Sequence, residues 1–221
     1  MIRIFFRLGI DDVLCGLRAV NYRNIDDLID IKDDKVQISV SPSRVENDEI
    51  IFYIPQIVPG TYEYSNFGRF IENLKAFDKK GKLLPVESLD KNSWRIYKAK
   101  NLSKLTYMAN DTFDGPDGGN EIYPMGGTNF KENDTFLLNL HSMIGYFEGM
   151  KEIPYHLSIV SPKKLKSFTS LPSISQSDSL DIFLAKRYFH IIDNPILYSE
   201  PNAISFDLEN IKVGMAVYSP S

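Results

Sequence analysis

Cysteine is all but missing from this chain, with Cys15 the single one in 221 residues. One thiol can neither close an internal disulfide nor build a cysteine-based zinc site, and it carries no information about compartment. Histidine is nearly as scarce. His141, His156 and His190 are the only three, and none stands one helical turn from another beside a glutamate, the spacing a zinc peptidase helix needs. No Gly-x-Ser-x-Gly elbow occurs, so nucleophilic catalysis lacks local support. No stretch approaches the roughly 20 apolar residues of a membrane span. Basic clusters are also lacking: the net charge is −4 and the pI near 5.4, which argues against a nucleic-acid footprint. The densest basic spot, Lys163-Lys164 with Lys166, reads as a solvated strand edge. Only seven residues are alanine, while Ile, Phe, Tyr and Val are plentiful, and that balance favours strands over helices.

What is present is organised around Ile50 to Trp94. An apolar strand, Ile50 to Ile54, leads into Val58-Pro59-Gly60-Thr61-Tyr62, and an aromatic run follows through Tyr64, Phe67 and Phe70. Pro59 fixes φ and Gly60 permits positive φ, so a sharp turn is expected there, with Tyr62 and Tyr64 beyond the corner. A second strand ends at Ala76-Phe77-Asp78, Lys79-Lys80-Gly81-Lys82 turns the chain, and Trp94 opens the next strand.

Elsewhere, Lys35 to Val40 alternates with period two, and Tyr155 to Val160 is a strand stopped by Ser161-Pro162. Trp94 to Tyr97 and Lys104 to Met108 form a further pair, and Thr135 to Leu140 reads as strand. His141 to Gly149 is an aromatic turn or short helix. Phe168 to Ser179, rich in Ser and Pro, is expected to loop over the surface. In Ile182 to Ile192, helix competes with strand. A closing hairpin is expected about Glu209-Asn210, between Ile204–Leu208 and Ile211–Tyr218. Short strands separated by turn chemistry predict an all-β fold, an antiparallel β-sandwich with long ordered loops and at most short helices. Residues 1–28 read as a poorly defined leader, because Asp11 and Asp12 interrupt what a signal peptide would keep apolar. Residues 29–221 form one domain.

The longest loop runs from Asn110 to Glu121 and on through Pro124 to Asn129, and long ordered loops inside compact domains are commonly functional. Its Asp111, Asp114 and Asp117 invite a calcium reading. They lack the alternation and terminal Glu of an EF-hand loop, and aspartates in a glycine-rich loop serve as turn formers. Gly118-Gly119 and Gly126-Gly127 are weak phosphate cradles, since neither precedes a helix.

Several of these segments together resemble the N-terminal domain of the glycyl aminopeptidase family. They are Val58-Pro59-Gly60-Thr61-Tyr62-Glu63, Asn66-Phe67-Gly68-Arg69-Phe70, Ala76-Phe77-Asp78-Lys79-Lys80-Gly81, Asp90-Lys91-Asn92-Ser93-Trp94, Gly145-Tyr146-Phe147-Glu148-Gly149 and Asp193-Asn194-Pro195-Ile196. The likeness runs from about Ile29 to Tyr218, and its specificity lies in the order and spacing of the motifs.

The resemblance implies a non-catalytic β-module at the front of a zinc metallopeptidase, with zinc and the general-base glutamate in a thermolysin-like catalytic domain outside this chain. No catalytic or metal residue is therefore carried over. The implied partners are that catalytic domain and, in the full enzyme, a peptide. The implied location is periplasmic or secreted, although the leader does not look like a signal. Residues expected at the substrate are Tyr62, Glu63, Asn120 and Glu121, whose two carboxylates suit an α-ammonium group; the plainer reading has Tyr62 filling a core corner and Glu63 solvated. Two other readings stand beside this one. A free-standing binding module for carbohydrate or protein is favoured by exposed Tyr62, Tyr64 and Tyr123. A hydrolase of converging His and Asp residues requires the three histidines to meet.

Overall fold

A computed structural model describes residues 1–7, 35–58, 60–61, 63–113, 122–123, 126–131, 134–176, 179–200, 202–209 and 211–218. The strands, in chain order, are β1 (Ile2–Arg7), β2 (Lys35–Ser41), β3 (Glu49–Tyr53), β4 (Ile71–Asp78), β5 (Leu83–Leu84), β6 (Val86–Asp90), β7 (Ser93–Tyr97), β8 (Leu102–Asn110), β9 (Asn129–Lys131) and β10 (Thr135–Leu138). They continue as β11 (Tyr146–Phe147), β12 (Tyr155–Val160), β13 (Lys166–Phe168), β14 (Ser173–Gln176), β15 (Leu180–Ala185), β16 (Ile196–Ser199), β17 (Asn202–Leu208) and β18 (Ile211–Val217). Among the described residues a single five-residue α-helix, α1 (Tyr188–Ile192), precedes β16.

Eight strands form one sheet in the order β14-β15-β12-β1-β2-β8-β4-β5, and two four-stranded sheets, β11-β3-β7-β6 and β13-β16-β10-β9, accompany it. Pairing is antiparallel apart from β1 with β12, which run parallel. The alternation in β2, with Val36, Ile38 and Val40 fully buried, points one face inward as a half-buried strand requires.

The sheets face each other across a core dominated by aromatics. On β3, Phe52 lies with ring centroids 5.8 Å from Tyr107 of β8 and 5.1 Å from Phe147 of β11. The Tyr107 hydroxyl donates to the Met143 carbonyl at 2.9 Å, so the buried phenol is paired. At the other end, Tyr198 of β16 donates to the Asp181 carboxylate of β15 at 2.8 Å. The antiparallel sandwich expected from the turn spacing is what the chain forms.

Two local expectations are corrected. Ile2–Arg7, placed by sequence in a leader, is a central strand whose Ile2 and Ile4 are buried; residues 8–28 lie outside those described. Phe168 to Ser179, expected as loop, carries the end of β13 and the edge strand β14, because backbone pairing to β16 and β15 outweighs its polar composition. The ambiguous stretch from Ile182 divides, with strand to Ala185 and helix from Tyr188. Lys163, Lys164 and Lys166 are exposed beside β13, an edge strand as expected.

Candidate functional site

The site is built on a corner where two of the sequence motifs meet. Asn66 takes a left-handed conformation, φ 50°, which suits asparagine better than most residues. Its side-chain oxygen accepts from Asn92 Nδ2 at 3.0 Å. Asn92 Oδ1 in turn accepts from the Gly68 amide, also at 3.0 Å. Gly68 has to be glycine here, since a Cβ would stand 1.9 Å from the Lys91 carbonyl oxygen. Asp90 completes the corner by accepting from the Asn92 amide at 2.7 Å and the Ser93 hydroxyl at 2.8 Å. Those bonds hold its carboxyl below the usual carboxylate range, with the Asn92 amide the largest contributor. The segments Asn66 to Phe70 and Asp90 to Trp94 are thus one hydrogen-bonded unit.

From this corner a loop projects. Asn66 N donates to the Gln56 carbonyl at 2.9 Å and Thr61 N to the Val58 carbonyl at 3.1 Å. Gly60 has φ 94°, so the turn forms where Pro-Gly was expected to place it. An isolated antiparallel bridge between Ile57 and Tyr64 zips the sides.

Beneath the loop, the ring of fully buried Phe67 lies 5.3 Å from that of His141. His141 is buried, with Nε2 2.7 Å from the Gly126 carbonyl and a second backbone contact at Ile192. Burial pushes its pKa down, against the opposing pull of those two carbonyls. A Cβ on Gly126 would stand 3.7 Å from Val58 and 3.8 Å from His141, so the second loop runs beside the first.

The base of that second loop is pinned by a buried polar network. Thr128 N donates to the Thr112 hydroxyl at 2.8 Å, and the Thr128 and Ser142 hydroxyls are 2.6 Å apart. The Asn139 side chain donates to the Gly127 carbonyl. Asp111 accepts from the amides of Phe113 and Phe130, each at 2.5 Å. That is turn-forming work, as read from sequence; Asp114 and Asp117 lie outside the described residues. Gly126 and Gly127 are buried against His141, Phe113 and Thr112, so they support the loop from within.

Ile57, Tyr64 and Tyr123, at 41%, 72% and 51% exposure, stand out from these two loops. Glu63 is exposed beside Tyr64. Tyr62, Asn120 and Glu121, the other expected contact residues, lie outside the described residues. The arrangement offers an apolar and aromatic surface with a carboxylate at its margin, held on a rigid base, and that suits contact with a peptide or a protein face. Among the described residues no three His, Cys, Asp or Glu come together as metal ligands. His141, His156 and His190 belong to no such group, so the residues described do not fit a zinc site. Sequence reasoning missed His141, Asn139 and Ser142 as the base of the site. Their signal was three polar residues set within the apolar run from Phe136 to Ile144.

Comparison with known proteins gives a consistent result. Residues 27–200 match the family described as the peptidase M61 N-terminal domain. The solved structure of an aminopeptidase N family protein from Idiomarina loihiensis superposes with a TM-score of 0.75 at 22% identity, covering 97% of this chain and 32% of that one. An M1 zinc metallopeptidase mutant from Deinococcus radiodurans, bound to a Tyr-Ser-Ala substrate, aligns at TM-score 0.46 and 7% identity over 96% of this chain and 45% of that one. The chain therefore spans a third to a half of the length of these structures. No curated protein matches it.

Proposed function

The chain belongs to the family of peptidase M61 N-terminal domains, and from that premise we propose that it is the non-catalytic front of a glycyl-aminopeptidase-like zinc metallopeptidase. In this reading it packs against the catalytic domain, which holds the zinc, and forms one wall of the peptide cleft. The observation that carries the cleft role is the exposure of Ile57, Tyr64 and Tyr123 on two loops whose bases are locked. A rigid wall restricts how a peptide lies and so contributes orientation, while the metal domain supplies the activated water. In this reading Glu63, exposed beside Tyr64, pairs with the α-ammonium group of the peptide.

The test uses the polypeptide of the complete gene. Tyr64→Ala, Tyr123→Ala and Glu63→Gln are expected to raise KM for peptides with an N-terminal glycine by roughly 3- to 30-fold while leaving kcat within a factor of about two. Unchanged KM in all three variants would remove this surface from the cleft. The same exposed tyrosines favour a second reading, a binding module for carbohydrate or protein. Oligosaccharide titration by calorimetry, with Tyr64→Ala as control, separates the two.

A further inference from the structure

The C-terminal hairpin differs from every other part of the sheet structure. Its register pairs Ile204 with Met215, Phe206 with Val213, Leu208 with Ile211 and Asn202 with Val217. Directly opposed residues of an antiparallel pair share a face. One face of β17–β18 is therefore apolar from the turn to Ile204 and Val217, with Asn202 the polar residue at its open end. The other carries Ala203, Ser205, Asp207, Gly214 and Ala216. The apolar face is open: Ile204, Phe206, Leu208, Ile211, Met215 and Val217 are 48–64% exposed. Among the described residues neither strand pairs with any strand outside the hairpin. A hydrogen bond from the Tyr218 hydroxyl to Asp134 at 2.7 Å, with Lys131 on the same carboxylate at 2.6 Å, ties its base to the β9–β10 turn.

A two-stranded sheet is marginal in water unless its apolar face is covered, so this face calls for an occupant. We infer that it is the docking surface for the catalytic domain on the same polypeptide, an apolar sheet or helix face closing over it as the second layer of a sandwich. This rests on the reading above that such a domain follows. Two observations select a tethered occupant. The family match ends at residue 200, just before the hairpin, so these strands are not part of the matched domain. The available area is also small. Two strands of seven residues give a footprint on the order of 250 Å², and even doubled for side-chain relief this falls short of the roughly 800 Å² per partner of a stable complex between separate chains. A domain already joined by the chain does not need that area, because its association is intramolecular. A second copy of this chain does.

Hydrogen exchange read by mass spectrometry decides the matter, on the 221-residue chain and on the polypeptide of the complete gene. Peptides within 204–217 are expected to exchange freely in the first, which sediments as a monomer, and to slow by at least about tenfold in the second. Phe206→Asp is expected to leave the melting temperature of the 221-residue chain unchanged and to abolish the slowing in the longer one. Equal exchange in both, or slowing that survives Phe206→Asp, overturns the inference, even where glycyl-peptide hydrolysis shows the functional reading to be right. Slowing without hydrolysis leaves the docking intact and overturns the functional reading instead. A dimer of the 221-residue chain with a protected hairpin makes a second copy the occupant. A reading frame closing after Ser221 overturns the inference outright.

Discussion

Two pieces of this chain lie outside the stretch that matches the family, and they behave in opposite ways. β1 sits in the middle of the eight-stranded sheet, with β2 on one side and β12 on the other, and buries Ile2 and Ile4. The β17–β18 hairpin completes its own backbone pairing and leaves six large apolar side chains in water. Both are apolar strands of six or seven residues. What separates them is whether the sandwich offers a partner layer. Apolar composition makes a strand ready for burial, and the surrounding topology decides whether burial happens within the domain.

Substitutions on the two sides can break this contrast. The largest effect is expected from Ile4→Asp, which puts an unpaired carboxylate into the sheet centre. A loss of more than about 4 kcal/mol, enough to leave the chain unfolded by circular dichroism, is expected. A folded Ile4→Asp protein would show that β1 is dispensable. Next comes Gly68→Ala at the Asn66–Asn92 corner. Its Cβ meets backbone atoms that cannot rotate away, and the shift strains the Gly68–Asn92 hydrogen bond. About 3 kcal/mol should be lost in urea titrations, and a loss below about 1 would mean that the corner yields easily.

A smaller effect is expected from pH. His141 has a lowered pKa in the folded state through burial, so below about 6.5 the unfolded chain takes up a proton that the folded chain does not. Stability is therefore full above pH 6.5 and declines as pH falls towards the folded value. Urea midpoints at pH 7.5, 6.5 and 5.5 should show this, and His141→Gln should flatten it. His156 is lowered as well, by burial and then by Arg3, so His156→Gln serves as the matched control. An unchanged slope in His141→Gln would assign the effect elsewhere. The smallest effect belongs to the hairpin, where Phe206→Asp should change the stability of the 221-residue chain by less than about 0.5 kcal/mol. A loss comparable to that of Ile4→Asp would erase the contrast.

Local chemistry made much of the fold legible. The period-two run at β2, the Pro-Gly turn after β3 and the strand from Tyr155 to Val160 all appear where alternation and turn residues place them. β1 did not, because a short, largely apolar segment at the start of a chain carries the same signature as an exported leader. Its meaning depends on β12, about 150 residues further on, and no local pattern carries that. The corner was visible only as two motifs, Asn66 to Phe70 and Asp90 to Trp94. Their hydrogen bonds explain why those residue types stand there. The base of the site was hidden for a different reason: Asn139 and His141 are satisfied by backbone carbonyls of a distant loop, and Ser142 by the Thr128 hydroxyl of that loop.

The parallel pairing of β1 with β12 also sets an order of events during synthesis. β1 and β2 can pair early, but the second edge of β1 has no partner until Tyr155–Val160 leave the ribosome. At roughly 5–20 residues per second that interval is on the order of ten seconds. Throughout it, the nascent chain carries an open apolar edge, the kind of surface that recruits chaperones or neighbouring chains. Yield of soluble protein should therefore depend on translation rate and chaperone supply more than the stability of the finished sandwich alone would suggest.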